Sequence, residues 1–387
     1  MSTAAPCADE RAAARAGVLR ALGATRAQAE ELLRYNENAF AVPDPAPGFP
    51  LADEPFVAAW EEYAADAAER GAVAALRARL PQLAFPVAAG VGETAAYRAA
   101  TRRGEAPPPG PGLALEAPER VRLFLHPTAA GRIPVVHLEH RADFVALVRA
   151  LVNRNEPVPV PPSQGASMVA GYNNWDRVGR LRAAFARGPV PGLEGAVDWG
   201  EAFARMRGRP ELYQDCFILL SGGPYSGVAA GSLGLAEDEW RALSFTIRLE
   251  HECAHYFTRR VLGAMRNTLL DELIADYAGI AAAAGRYRAD WFLRFLGLEE
   301  ADGYRAGGRM ENYRGKPPLS DGAFRVLQAL VRRAARALEQ ADAALPASGR
   351  GMEERARMIT ALAACTLEEL ADDGAAERLQ GGFFGFA

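Results

Sequence analysis

Two of the chain's five histidines, His251 and His255, stand four residues apart in the stretch EDEWRALSFTIRLEHECAHYFTRRVLG, which begins at Glu237. The stretch opens on acids, which suit the positive end of a helix dipole, and closes on Arg259 and Arg260 just before Gly263. It therefore reads as one helix over residues 237–262. Positions i and i+4 of a helix share a face, so the two imidazoles lie one above the other at a separation that a single ion can bridge. Glu252 follows the first histidine by roughly 100° around the axis. There its carboxylate can reach a water on such an ion without being a ligand itself. A helix built this way must face further protein, because a catalytic zinc takes three protein ligands and leaves a fourth position to water.

The next stretch supplies acids for that purpose. NTLLDELIADYAG offers Asn267 or Thr268 as a helix cap, followed by Asp271, Glu272 and Asp276. Glu272 lies 17 residues beyond His255 (272 − 255), which leaves room for one turn between two helices. Asp276 is i+4 from Glu272 and shares its face. That suits a carboxylate accepting the other ring N–H of a ligand histidine, which fixes its tautomer and orientation. Asp276 and, more remotely, Asp271 compete with Glu272 for the place of third ligand.

His251-Glu252-Cys253-Ala254-His255 followed by Glu272-Leu273-Ile274-Ala275-Asp276 resembles the gluzincin group of zinc metallopeptidases, whose pattern is HExxH and then ExxxD on the next helix. The resemblance implies Zn2+ held by His251, His255 and Glu272, with Glu252 as general base and Asp276 as partner of His251. It implies a zincin-like catalytic region acting on a peptide or an amide-containing small molecule. It covers about 40 of the 387 residues, and the flanking chain resembles uncharacterised bacterial proteins of unknown function. Two other readings stay open: a zinc-stabilised binding or structural module, and a zinc-dependent tailoring enzyme acting on a small molecule.

Other residues are weaker candidates. His137 and His140 in PVVHLEH are i and i+3 and would face opposite sides of a strand, so they cannot share one ion. His137 is a candidate donor to a developing oxyanion, the role gluzincins give to a His or Tyr outside the metal motif, and His126 has the same status with less context. LLSGGPYSGVAAG, residues 219–231, lies just before the metal helix, where zincins bind substrate along an edge strand. Tyr225 is the polar candidate in that stretch to line a cleft. YRAGGRMENYRGK, residues 304–316, offers Tyr304, Arg305, Arg309 and Tyr313 for a substrate carboxylate or oxyanion, against the simpler expectation of a solvated loop. Cys253 points away from the histidine face and reads as a small buried residue.

The fold class expected from the pattern is α+β, predominantly helical, with a small mixed sheet. Helices are expected over 9–38 with a break at Gly23, over 55–80, and from Asp143 as cap to the end of DFVALVRALVNR. Asn174 reads as the cap of a further helix that ends at Gly188, with Trp175 in a core. Beyond Glu237 helices are expected over 237–262, 268–284, 289–296, 321–343 and 353–371. RVRLFLH, RIPVVHLEH and CFILLSGG read as strands, and PVPVPPSQG as extended loop. EAPPPGPG, residues 105–112, either divides an N-terminal helical region (1–112) from a metal-binding domain (113–387) or forms a surface loop within one domain.

Composition narrows the partners. The formal net charge of −4 lacks the basic footprint that phosphate binding needs, so nucleic acid is not expected. Cys7, Cys216, Cys253 and Cys365 are scattered without a CxxC pair and do not read as a disulfide framework. The N-terminus carries acids and no apolar core of a signal peptide, and no run approaches the length needed to cross a bilayer. The expectation is a soluble cytoplasmic protein with no membrane partner.

Overall fold

The computed structural model of the chain describes residues 8–265, 268–345 and 351–385. In chain order its elements begin with α1 (Ala8–Ala21), α2 (Arg26–Tyr35), α3 (Val57–Arg70), α4 (Ala72–Arg77), α5 (Ala95–Arg103), β1 (Val121–His126) and β2 (Ile133–Leu138). They continue with α6 (Arg141–Leu151), β3 (Ala166–Asn173), α7 (Trp175–Phe185), α8 (Trp199–Met206), β4 (Gln214–Ser221) and α9 (Glu237–Val261). The remainder are α10 (Leu269–Ala284), α11 (Ala289–Leu296), α12 (Asp321–Ala343), α13 (Met352–Ala363), α14 (Leu367–Leu370) and α15 (Ala375–Gly385). The described chain is thus mostly helical with one small mixed sheet, an α+β arrangement. It forms two compact units: Met1–Leu51 with Pro224–Ala387, and Ala52–Gly223.

The second unit is built on the sheet, whose order is β1-β2-β4-β3. β1 runs antiparallel to β2, β2 parallel to β4, and β4 antiparallel to β3. Val135, Val136 and Phe217 through Leu220 are fully buried, which explains why β2 and β4 read as near-continuous apolar runs rather than alternations. β3 was not expected from the sequence. It is an edge strand whose pairing shifts between Ala170 and Tyr172, around Gly171 at φ 73°, so its apolar alternation is interrupted.

A buried carboxylate organises the covering helices of this unit. Asp215, 1 % exposed, accepts from Trp60 Nε1 at 2.8 Å, Asn174 Nδ2 at 2.6 Å and Arg177 Nη1 at 2.5 Å, so its burial is compensated. Asn174 also caps α7 as expected, its side-chain oxygen accepting from Arg177 N. Trp175 is only half-buried, its indole N–H donating to Thr101 O at 2.7 Å. Asp143 does not cap α6. The cap position is His140, and Asp143 instead accepts from Glu116 N and Ala117 N at 2.6 and 2.9 Å. The helix expected over 55–80 divides into α3 and α4 at Gly71, where φ is 88°.

The first unit is helical. Thr25 and Gln28 form a reciprocal capping box that restarts the chain as α2 after the break at Gly23. The helix expected over 353–371 is interrupted before Thr366, which caps α14 with Glu369 in a second such box. Glu368, fully buried, receives Arg15 Nε at 3.1 Å and Asn36 Nδ2 at 2.8 Å, which ties the N-terminal helices to the C-terminal ones. Asn267 and Cys7 lie outside the described residues; Thr268 occupies the cap position of α10. Cys216, Cys253 and Cys365 are buried free thiols. Among the described residues no helix is long and apolar enough to cross a membrane.

α9 and α10 form the central pair. α10 is buried without interruption from Leu269 to Ala281, and it meets α9 closely at a glycine. A Cβ added to Gly279 would stand 2.5 Å from the backbone oxygen of Ile247, one turn before His251. Alanine within a helix ordinarily gains up to about 1 kcal/mol over glycine. Here the contact is with backbone, so Gly279→Ala is expected to destabilise the protein by about 1–3 kcal/mol instead. The urea midpoint at unchanged m-value reads this, and a midpoint at or above wild type would refute the close approach.

Candidate metal centre

The histidine face of α9 looks onto the acidic face of α10. His251 and His255 are 6 % and 4 % exposed and Glu272 is 7 % exposed. The two rings stand nearly perpendicular, their centroids 4.7 Å apart. Their Nε2 atoms are 3.1 Å apart, and Glu272 offers Oε2 at 3.7 Å from that of His251 and Oε1 at 3.8 Å from that of His255. These three side chains can each point one ligand atom at a common centre, all within 4.8 Å of one another.

The far side of each ring has its own carboxylate. His251 Nδ1 lies 2.8 Å from Asp276 Oδ1, and His255 Nδ1 lies 3.3 Å from Asp271 Oδ1. A carboxylate accepts, so Asp276 takes the ring proton of His251 on Nδ1 and leaves its Nε2 with a lone pair toward the common centre. That lone pair, the His255 ring and the Glu272 carboxylate face one small volume, which favours a positive charge there. The raised pKa of His255 expresses the same demand. Burial disfavours a charged His255, yet its bond to Asp271 and the charges of Asp271, Glu272 and Glu252 outweigh burial and raise it to about 10.

The donor set fits a metal ion. Two ligands at roughly 2.0–2.1 Å from a tetrahedral ion are separated by about 3.3 Å, close to the spacings of this group. Two imidazoles and one carboxylate suit a first-row transition metal or zinc, whereas calcium and magnesium prefer all-oxygen shells. His251, His255 and Glu272 thus form a buried group that could hold a metal ion. Asp276 and Asp271 back the histidines, and the group is complete without them as ligands. Asp271, weighed from sequence only as a remote ligand, is the partner of His255.

Asp276 is held by more than His251. Tyr225 donates to its Oδ1 at 2.5 Å and lies 2.9 Å from His251 Nδ1. Arg309 donates to Asp276 Oδ2 through Nη2 and to the Tyr225 hydroxyl through Nη1 at 3.0 Å. Burial would raise the Asp276 carboxyl, but Arg309, His251 and Tyr225 together hold it down at about 2. Burial pushes the Tyr225 hydroxyl well above its ordinary value. Burial, and next the charge of Glu272, push the buried Tyr313 hydroxyl well above its ordinary value.

These contacts revise several expectations. Tyr225 sits behind the His251 ring, on the Nδ1 side, rather than along an open cleft. β4, just upstream, has β2 and β3 on its two sides, so it is no edge strand for an extended peptide. Arg309 and Tyr313 are not on a solvated loop but built into the centre, while Tyr304 packs on Phe324 and Arg305 pairs with Glu299. His137 lies on β2 of the other unit, His126 ends β1, and His140 is outside the strand, 3.5 Å from Glu116. Glu252 is half-buried beside His251, and Cys253 is buried, its thiol pushed well above its ordinary range by burial.

Removing Asp276 leaves the Arg309 guanidinium, whose side chain is 13 % exposed, without its carboxylate. Asp276→Ala is expected to cost about 3–5 kcal/mol in metal-free protein. Glu30→Ala, which breaks the exposed pair with Arg26, should change stability by less than about 1 kcal/mol. Denaturant midpoints in the presence of chelator compare the two, and equal small effects would contradict a buried hub at Asp276.

Comparison with curated proteins and with solved structures gives no match. A family model, described as a family of unknown function (DUF7005), matches residues 17–374, a span that takes in every residue of the metal centre. The chain therefore belongs to this family of unknown function, DUF7005.

Proposed function

We propose that the protein is a zinc-dependent hydrolase of zincin type, acting on a peptide or on an amide within a small molecule. The observation that carries this reading is the convergence of His251 Nε2, His255 Nε2 and the Glu272 carboxylate, with a carboxylate behind each ring. The pairing of HExxH with ExxxD supports zinc over other ions that the same donors would accept. Bound there, zinc supplies Lewis acidity and makes water a nucleophile at neutral pH.

The chain's own residues do the rest. Asp276 and Asp271 stand behind the two rings, so the Nε2 atoms already face the common centre, and His255, whose pKa is raised to about 10, gives up its Nε2 proton as an ion binds. Glu252 takes a proton from the attacking water as its oxygen bonds to the carbonyl carbon. It then delivers that proton to the leaving nitrogen as the C–N bond breaks. A buried centre restricts which amides reach it, which favours a specific substrate over general proteolysis.

The burial of all three ligands also favours a second reading, a zinc site that only holds α9 and α10 together. One pair of variants separates the two. Purified protein is expected to hold about one zinc per chain. Glu252→Gln should retain the zinc and lose hydrolysis by at least about 100-fold, within the range for a general base. His251→Ala should lose the zinc. Wild-type protein that takes up no zinc would sink both readings, and a Glu252→Gln variant as active as wild type would leave only the structural one.

A further inference from the structure

The segment that follows α11 is drawn tight before it reaches the centre. A Cβ on Gly308 would stand 2.5 Å from Leu296 O and 2.8 Å from Gly297 Cα, so the two glycines close the loop backbone to backbone. Arg305 N donates to Gly297 O at 2.7 Å across the same closure. The chain then enters a 3₁₀ turn, Arg309–Tyr313, in which Met310 and Tyr313 are buried. At its far end Tyr35 donates its hydroxyl to Tyr313 O at 2.8 Å. The turn is therefore anchored on both sides, and the side chains of Arg309 and Tyr313 have little freedom to be elsewhere.

Arg309 holds a carboxylate of the centre. It reaches Asp276, the carboxylate that fixes His251, and the Tyr225 hydroxyl that shares it. Its Nη1 also lies 3.9 Å from Glu272 Oε2. The charge of Glu272 also acts on the buried Tyr313 hydroxyl at the other end of the turn. From this geometry we infer that the Arg309–Tyr313 turn is a strap that sets the metal affinity of the centre, Arg309 acting through Asp276 on His251, with Tyr313 as its counterpart toward Glu272. Both are positioning residues. The inference rests on the metal-centre reading but not on hydrolysis.

The charge of Arg309 complicates a crude deletion. Removing the guanidinium would strengthen the pull of Asp271, Glu272 and Asp276 on a cation while loosening the ligands. Substitutions that keep the charge isolate positioning. Lysine at 309 preserves the cation but cannot make the forked contact to Asp276 and Tyr225 together. Phenylalanine at 313 removes only the hydroxyl.

The test is the dissociation constant for zinc ion alone, by competition with a chromophoric chelator, for wild type, Arg309→Lys and Tyr313→Phe. Both variants are expected to bind zinc about 10- to 100-fold more weakly, the usual effect of losing an outer partner of a ligand. The absorption bands of the Co2+-loaded variants should shift from those of wild type, which a purely structural role would not produce. Variants within about twofold of wild type with unshifted cobalt spectra overturn the strap, even where their metal-free forms are less stable. Should Arg309→Lys not fold, Tyr313→Phe decides alone. Wild-type protein without zinc affinity overturns the metal reading and this inference with it, whereas absence of hydrolysis leaves it standing.

Discussion

The carboxylate of Asp276 is fully buried, and the centre is organised around the donors it requires. His251 from α9, Tyr225 from the turn before it, and Arg309 from far downstream all converge on this one side chain of α10. A buried anion without such partners would be strongly unfavourable, so each donor is held where it is by the same requirement. One consequence is that the His251 ring cannot rotate freely, and its Nε2 is aimed at Glu272 and His255 before any ion arrives.

A second constraint is purely steric. The convergence of two ligand-bearing helices needs their axes close together, and Gly279 against Ile247 O is where side-chain bulk is absent. α10 itself is apolar on every side apart from its acids, as expected of a helix surrounded by protein. Its acids therefore either pair or meet a cation. Asp276 pairs with Arg309 and Asp271 faces His255, while Glu272 meets the two imidazoles.

What could be read before folding follows a clear physical division. The i,i+4 spacing of His251 and His255, and of Glu272 and Asp276, places each pair on one helix face by helical geometry alone. Breaks at Gly23 and caps at Asn174 and Thr268 are equally local. The strand β3 carries no clear alternation because Gly171 interrupts it at a bulge, and Asp143 does not cap α6 because its partners, Glu116 N and Ala117 N, lie some 27 positions away. Tyr225 had a polar side chain near the right helix, but nothing local tells which side of a histidine it will meet.

Residue order therefore set the chemistry of the centre: two imidazoles, a neighbouring glutamate, and acids on the following helix, all within one stretch of short-range periodicity. Tertiary structure decided which acid serves which histidine, and it brought Arg309 to Asp276. Helical spacing acts over a few residues and is written in the sequence. The pairing of buried charges depends on which segments pack together, and packing between distant segments leaves no periodic trace in the chain.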